Sequence, residues 1–349
     1  MSRTVLRVDV SPRIGTGHLR RCLELARRLN GRGIDTHFLV KSDGMDVRSH
    51  FSDLVGDYVP MDLLLSIEDD AWCTATYCDK VGADRLIIDH YEAGEQYQRI
   101  LMDAGLSWLQ FDGLAQSPLW ADWVVSMSPA ADVARYRILQ RRPHTRLLLG
   151  PRHAVIRTDF DRWRERRRIP QRARNLLLTF GGGDDRGACI ACLAALSNVD
   201  GFQLTILTSI HNPQVASIQS WLGRHPHVQA RLILDEPDIA RYMADSDIAV
   251  VAGGTTTFEV ATMGLPMLIV QIAQNQSANA AAWERIGNAV NLGPIDALDG
   301  RRLATEVIAL AQDQSRRERM AKAGQDCVDG RGAERIIDEL YPGSDSHGQ

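Results

Sequence analysis

The sequence predicts an α/β protein made of two doubly wound domains, each with a parallel sheet covered by helices on both faces. Three observations support this prediction. Short apolar runs with strand periodicity alternate with longer stretches that have the period of amphipathic helices. The alternation restarts near residue 175, where a strand, a glycine loop and a helix repeat the opening order. The length of 349 residues is also comfortable for two cores.

The first domain, 1–155, opens with the strand 5–10, a loop containing Gly15 and Gly17, and a helix whose apolar residues recur at helical spacing from Leu19 onward. Its later strands are predicted at 36–40, 57–61, 85–91, 108–111, 123–126 and 147–149, and its other helices at 66–81 and 95–104. Strands that alternate with helices predict right-handed crossovers and a parallel sheet.

An arginine-rich run at 163–175 separates the two halves. Such a run can bind nucleic acid, but in a chain of net charge −4 it favours a solvated linker helix, and we assign 156–175 to a linker. The second domain is predicted at 176–341 and a disordered tail at 342–349. Its strands are expected at 176–180, 204–208, 230–234, 248–251 and 267–271, and its helices at 187–196, 214–222, 239–244, 258–263, up to 286 and over most of 301–341.

Composition excludes several classes of protein. Hydrophobic residues make up 44% and charged residues 24% of the chain, as in ordinary globular proteins. The net charge gives no case for a nucleic-acid or acidic-membrane partner, and no apolar run approaches the roughly 20 residues of a membrane helix. The start of the chain lacks the apolar core of a signal peptide, so a cytoplasmic location is expected. The Cys189 and Cys192 pair is interpreted as core packing rather than a redox or zinc site.

Three glycine loops follow strands, at 15–17, 181–183 and 253–254. The first lacks the third glycine of the dinucleotide fingerprint, because Arg20 takes that place, and no loop has the Gly-Lys-Ser/Thr of a P-loop. Nicotinamide, flavin and ATP-hydrolysing functions are therefore weakly supported, and no cofactor is predicted. Three such loops on two α/β domains predict an interdomain cleft that holds a phosphorylated ligand.

The best predicted diphosphate site is the loop of Gly253, Gly254, Thr255 and Thr256. Glycines let the backbone approach a phosphate, and the N–H groups at a helix start and the threonine hydroxyls can donate to it. Glu259 follows one turn later. It is either a solvated helix residue or the acceptor for a ribose diol.

His18 follows the first glycine loop and has two interpretations. It is a structural residue at a helix start, or it is a general base, because an imidazole can take a proton from water near neutral pH. Asp9, at the end of the preceding strand, is a candidate to orient it. His90 and Tyr91 end another strand and are expected to face the same edge of the cleft.

Two Asp-x-Asp strings, at 159–161 and 245–247, match a motif that binds metal in many nucleotide-sugar enzymes. Both are better explained as helix-capping and turn residues, so no metal is predicted.

Motifs in both halves resemble a known family. They are D-x-S-x-x-I-G-x-G-H-x-x-R at 9–21, I-I-D-H-Y at 87–91, L-G-P-R at 149–152, F-G-G-x-D at 180–184, A-G-G-x-T-x-x-E at 252–259 and the Asn-Gln pair at 275–276. The chain resembles the UDP-sugar hydrolases of pseudaminic acid biosynthesis and the related spore-coat polysaccharide proteins. These are similar to the peptidoglycan N-acetylglucosaminyltransferase, and the resemblance implies its GT-B fold.

The resemblance implies hydrolysis of UDP-2,4-diacetamido-2,4,6-trideoxy-β-L-altrose to UDP and the free sugar. In this reading His18 activates water, which attacks the anomeric carbon with inversion. The residues assigned to the sugar are Gly17, Tyr91, Asn275 and Gln276, and those assigned to UDP are Gly182, Gly253, Gly254, Thr255, Thr256 and Glu259. The only partner implied is the UDP-sugar, and the chain predicts no oligomeric state.

The chain departs from the family pattern at Gly113, at His153 and at Ser126 to Ser128, all expected on the sugar side. The identity of the sugar is therefore left open. Two other functions also remain. In a GT-B glycosyltransferase, His18 would deprotonate an acceptor hydroxyl instead of water, and a non-catalytic protein would bind a UDP-sugar without turnover.

Overall fold

The structure is a computed structural model that describes residues 2–11, 16–44, 47–52 and 54–343. The chain divides into two compact units. Unit 1 comprises 1–156 together with 331–349, and unit 2 comprises 157–330. Gly15 and the residues from 344 to the end, for which a glycine loop and a disordered tail are predicted, lie outside the described residues.

Unit 1 alternates strands and helices. Its elements up to residue 156 are β1 (Arg3–Val10), α1 (Gly17–Gly31), β2 (Asp35–Ser42), β3 (Tyr58–Pro60), α2 (Ile67–Val81), β4 (Arg85–Asp89), α3 (Glu95–Asp103), β5 (Trp108–Phe111), β6 (Trp123–Ser126), α4 (Val133–Leu139) and β7 (Arg146–Leu149). Among the described residues these strands form one seven-stranded sheet in the order β3-β2-β1-β4-β5-β6-β7. Every pairing in the sheet is parallel.

The central strand β1 shows why this sheet has helices on both faces. Leu6 and Val8 are fully buried in the layer that contains α1, and Val5 is fully buried in the layer that contains α2 and α3. A strand that buries both of its faces is typical of parallel sheets. Helix α2, predicted at 66–81, begins after Ser66, whose hydroxyl accepts the Asp69 N–H, and is followed by Gly82 in the left-handed conformation.

Unit 2 repeats the architecture. Its elements are α5 (Asp159–Arg166), β8 (Asn175–Thr179), α6 (Ala188–Leu196), β9 (Gln203–Thr208), α7 (Val215–Arg224), β10 (Ala230–Leu234), α8 (Ile239–Ala244), β11 (Ile248–Val251), α9 (Thr256–Thr262), β12 (Met267–Gln271), α10 (Ser277–Ile286), β13 (Ala289–Pro294), α11 (Gly300–Gln312) and α12 (Gln314–Cys327). Within the described chain its sheet has six parallel strands in the order β10-β9-β8-β11-β12-β13. The prediction of two doubly wound α/β domains is confirmed.

The last helix, α13 (Gly332–Leu340), differs from the predicted domain boundaries. The sequence assigns it to the second domain, but it belongs to unit 1. Its apolar face, with Ile336, Ile337 and Leu340, is fully buried in the same layer as α1. An amphipathic helix packs where its apolar stripe is covered, and sequence order does not determine where that is.

The arginine-rich run also differs from its prediction as a solvated linker. It lies within unit 2, and only its first residues are helical, as the end of α5. Arg167 donates to the Gly264 carbonyl at 2.7 Å, and the fully buried Arg317 donates to carbonyls of the same segment. The arginine-rich run is therefore held against the rest of unit 2 by hydrogen bonds. Its backbone carbonyls accept some of them and its own arginine side chains donate others.

Both sheets contain a switch point, where the chain winds away in opposite directions from two neighbouring strands. In unit 1 these strands are β1 and β4, and in unit 2 they are β8 and β11. Ligands of open α/β sheets bind beyond the carboxyl ends of the strands at such points. The predicted site residues of each unit follow these strands directly or, for Asn275 and Gln276, the adjacent β12.

Candidate active site

His18 is the second residue of α1, in the loop-to-helix junction that follows β1. Its Nδ1 lies 2.6 Å from Oδ1 of Asp89, the last residue of β4. Because β1 and β4 are parallel neighbours, the helix that follows β1 begins near the end of β4. The switch point thus joins His18 to a carboxylate 71 residues away in sequence.

Arg21 holds the same carboxylate from the next turn of α1. Its Nε donates to Asp89 Oδ2 at 2.7 Å, and its Nη2 donates to Oδ1 at 2.5 Å. The guanidinium also lies over the ring of Phe111, with 4.2 Å between its carbon and the ring centroid. This bidentate pair and the cation–π contact fix the plane of Asp89.

Asp89 is ionised at neutral pH, although its side chain is only 1% exposed. Burial raises the pKa of Asp89, but the charge of Arg21 and the hydrogen bonds from His18 and Arg21 outweigh it and hold the pKa well below its usual range. An ionised carboxylate only accepts hydrogen bonds, so Nδ1 of His18 is the donor in their contact. The lone pair of the neutral imidazole is then on Nε2, which is the atom able to accept a proton.

Tyr91 lies beside His18, as the sequence predicts. The two ring centroids are 4.8 Å apart and the rings meet edge to face at 73°. Tyr91 is 59% exposed, so it is available to a ligand at the strand ends. Partial desolvation raises the pKa of Tyr91, which stays a neutral phenol that can donate. Gly17 precedes His18 and opens α1, with open space where a side chain would stand.

The residue that orients His18 is Asp89, and the prediction of Asp9 for this role is wrong. Asp9 Oδ1 accepts from Arg7 Nη1 at 2.5 Å, and Arg7 also binds the buried Asp70. Side chains alternate along a strand, so Asp9 is on the same face as Arg7, toward α2 and α3. Asp89 is on the α1 face, with Ile87.

His90 is also placed differently from its prediction at the cleft edge. Its side chain is completely buried against Tyr97. No described residue forms a hydrogen bond with either ring nitrogen, and Oδ2 of Asp9 lies 3.9 Å from Nδ1. Burial lowers the pKa of His90 well below its usual value, so it is neutral. Asp89 and Arg21 are the site residues that sequence reasoning missed. The signals were an aspartate at the end of an apolar strand and an arginine three positions after the histidine, on the same helix face.

In unit 2, the loop of Gly253, Gly254, Thr255 and Thr256 joins β11 to α9. We call it the glycine–threonine loop. Helix α9 begins at Thr256, two residues before its predicted start, because Thr255 and Thr256 already have helical backbone. The Thr257 hydroxyl donates to the Gly254 carbonyl at 2.7 Å. Thr255 is exposed, and Glu259 is half-buried in the first turn of α9.

Asn275 and Gln276 lie in a 3₁₀ helix, Gln274–Gln276, between β12 and α10. Asn275 is exposed. The Gln276 side chain points at the glycine–threonine loop, where its Oε1 accepts the Gly253 N–H at 3.1 Å. Gly182 is exposed in the loop after β8, the strand beside β11. The predicted UDP residues therefore meet at one sheet edge of unit 2, together with Asn275 and Gln276.

The two Asp-x-Asp strings have structural partners. Asp247 Oδ2 accepts the N–H groups of Arg174 and Asn175, both at 2.8 Å, and Asp159 and Asp161 are in the first turn of α5. Over the part of the chain that the structure describes, no three His, Cys, Asp or Glu side chains group as metal ligands. None of the helices in this same part has the length and apolar character to span a membrane.

The fold is that of GT-B proteins, and it is shared by solved enzymes. MurG from Acinetobacter baumannii superposes with a TM-score of 0.70 at 17% identity over 97% of this chain and 99% of MurG. The UDP-GlcNAc 2-epimerase of Neisseria meningitidis, solved with UDP-GlcNAc bound, has a TM-score of 0.66 at 13% identity over 97% of this chain and 99% of that chain. No protein-family model matches the sequence.

Curated proteins that are homologous in sequence include a hydrolase and a spore coat protein. The UDP-2,4-diacetamido-2,4,6-trideoxy-beta-L-altropyranose hydrolase of Campylobacter jejuni is 21% identical over 80% of this chain and 94% of its own length. The spore coat polysaccharide biosynthesis protein SpsG of Bacillus subtilis is 26% identical over 57% of this chain. The chain spans 60% of the length of SpsG. The protein is thus a GT-B protein with distant homology to a UDP-sugar hydrolase.

Proposed function

We propose that this protein hydrolyses a UDP-linked 2,4-diacetamido-2,4,6-trideoxyhexose of the altrose type to UDP and the free sugar, in the biosynthesis of a nonulosonic acid of the pseudaminic type. The observation that carries the proposal is the His18–Asp89 contact of 2.6 Å, which leaves Nε2 of His18 as a base at the start of α1. The homology to the C. jejuni hydrolase supports the choice of substrate.

In the proposed reaction, Nε2 of His18 removes a proton from water while the water oxygen attacks the anomeric carbon. The bond between that carbon and the diphosphate oxygen breaks, and UDP leaves with its electron pair. Attack on the face opposite the leaving group inverts the anomeric carbon. The imidazolium that forms is stabilised by the Asp89 carboxylate, which already accepts from Nδ1.

Unit 2 holds the nucleotide in this proposal. Gly182, Gly253, Gly254, Thr255 and Thr256 surround the diphosphate, because backbone N–H groups and hydroxyls donate to its oxygens. Glu259 accepts from the ribose hydroxyls. Gly17, Tyr91 and Asn275 are assigned to the sugar. These donors neutralise the leaving group without a metal or a cofactor.

The test is a mass-spectrometric screen in which purified protein is incubated with a panel of UDP-deoxyaminosugars and no acceptor. UDP and the free diacetamido-trideoxy sugar are expected, with UDP-N-acetylglucosamine as the matched control that is turned over far more slowly. If every donor remains intact while UDP binds tightly, the protein is a non-catalytic UDP-sugar-binding protein.

A GT-B glycosyltransferase is the second candidate, since the solved structures with this fold include glycosyltransferases. Nε2 of His18 could equally remove a proton from an acceptor hydroxyl in place of water. UDP release that starts only when a sugar or lipid acceptor is added would establish this candidate and exclude the hydrolase.

A further inference from the structure

The side chain of Gln276 connects two loops of unit 2. Its Oε1 accepts the N–H of Gly253, after β11, at 3.1 Å and the N–H of Ile272, after β12, at 3.0 Å. An amide oxygen has two lone pairs, so both are used within the protein. The loop that contains Asn275 is thereby tied to the glycine–threonine loop.

Gln276 also packs closely against the backbone of Gly253. A side chain on Gly253 would place its Cβ 2.9 Å from the Gln276 Cβ, so glycine is required for the two loops to approach this closely. The Nε2 of Gln276 lies alongside Gly254, 3.9 Å from where a Cβ would stand. The Gln276 amide therefore runs along the backbone of the glycine–threonine loop.

Two buried hydrogen bonds in series also hold the glycine–threonine loop. The indole Nε1 of Trp283 donates to the Thr257 hydroxyl at 3.0 Å, and that hydroxyl donates to the Gly254 carbonyl at 2.7 Å. Trp283 is fully buried and Thr257 is 1% exposed. The glycine–threonine loop is thus fixed at an N–H by Gln276 and at a carbonyl by Thr257.

We propose that Gln276 is a positioning residue, which sets the shape of the glycine–threonine loop and the distance of Asn275 from it, rather than a ligand of the sugar. A loop held in its binding shape before the ligand arrives does not have to be ordered on binding, and this raises affinity. The inference rests on the proposed function only for the identity of the ligand, UDP. It predicts that Gln276 matters for UDP alone, a ligand with no sugar to contact.

The experiment compares Gln276→Met, which keeps the length of the side chain and removes the acceptor, with Gln276→Glu, which keeps acceptor oxygens. Gln274→Met is the matched control, because Gln274 lies in the same 3₁₀ helix and is exposed. Two quantities are measured in the full-length protein. They are the Kd for UDP by calorimetry and the hydrogen-exchange rates of the Gly253 and Ile272 amides without ligand.

Gln276→Met is expected to weaken UDP binding about ten-fold or more, the equivalent of at least one net hydrogen bond, and to speed exchange at both amides. Gln276→Glu is expected to restore slow exchange, and Gln274→Met to change neither quantity. The inference is overturned if Gln276→Met binds UDP as the wild type does, or if the wild type does not bind UDP. A wild type that binds UDP but releases none from any donor contradicts the proposed hydrolase and leaves the role of Gln276 supported.

Discussion

The junction after β1 in unit 1 and the glycine–threonine loop after β11 in unit 2 each lie at the switch point of their sheet. Each follows a buried parallel strand at a switch point and leads into a helix. In unit 1 the site consists of side chains, with His18 and Arg21 sharing the buried carboxylate of Asp89. In unit 2 it consists of backbone, shaped by Gln276 and Thr257.

This difference matches two kinds of chemistry. A proton is moved by a titratable group whose tautomer is set by a fixed partner, and the His18 junction provides both. A diphosphate is held by several N–H groups in a fixed array, and changing protonation adds nothing to that task. Substitutions in the two units should therefore separate turnover from binding.

The largest effect is expected for His18→Ala, which removes the proposed base. Turnover should fall by about 10²–10⁴-fold, the usual contribution of a general base, while the Kd for UDP stays within error of the wild type. Steady-state UDP release and calorimetry measure the two quantities. Full turnover by this variant at saturating substrate would remove His18 from the mechanism.

Asp89→Asn tests the orienting carboxylate. The amide can present its NH₂ to Nδ1 of His18, which moves the imidazole proton to Nε2 and removes the base. Turnover should fall by about 10²-fold or more, with UDP binding again unchanged. Asp9→Asn is the control, because Asp9 pairs with Arg7. An equal loss of turnover in both variants would mean that Asp89 has no special role.

The comparison also shows how far the sequence leads. The sequence identifies the glycine loops, His18 and Tyr91 because strand, loop and helix are local patterns, whereas the strand order that creates the switch points is known only from the structure. The sequence favours Asp9 as the partner of His18, because Asp9 stands at the end of the preceding strand. Only the pairing of β1 with β4 shows that Asp89 lies on the α1 face, and no local period carries that information. For the same reason the sequence places α13 in the wrong unit. The apolar stripe of α13 is visible in the sequence, but the surface against which it packs is not.

Gly253→Ala tests the backbone site. The new Cβ would lie 2.9 Å from the Gln276 Cβ and 3.3 Å from its carbonyl oxygen, so the two loops must separate. UDP binding should weaken by about ten-fold or more, as expected when at least one hydrogen bond to the loop is lost. Gly254→Ala is the matched variant, because its Cβ meets no described atom closer than 3.9 Å. Equal UDP affinity of Gly253→Ala and wild type would contradict the close approach of the two loops.

The stability of the protein in acid should depend on the buried charge of Asp89. The pKa of Asp89 is lower in the folded protein than in the unfolded chain, so its ionisation stabilises the fold at neutral pH. This contribution is lost as the pH falls below about 4, the ordinary pKa of aspartate. Asp89→Asn should be less stable at pH 7 by about 3–5 kcal/mol, because Arg21 loses its partner. Its Tm should then fall less than that of the wild type between pH 7 and pH 3. Parallel Tm profiles of the two proteins would contradict the low pKa.

A chelator is expected to have no effect on the rate of UDP release. The leaving diphosphate needs charge neutralisation from some source, and divalent cations often supply it in nucleotide-sugar chemistry. Here the N–H groups and threonine hydroxyls of the glycine–threonine loop are proposed to do so, and both Asp-x-Asp strings are engaged in the fold. UDP release should be the same with EDTA and with added Mg²⁺. A rate that falls sharply in EDTA and recovers with Mg²⁺ would show that the glycine–threonine loop binds the diphosphate only together with a cation. The site in unit 2 would then differ from the site in unit 1 also in its need for a metal ion.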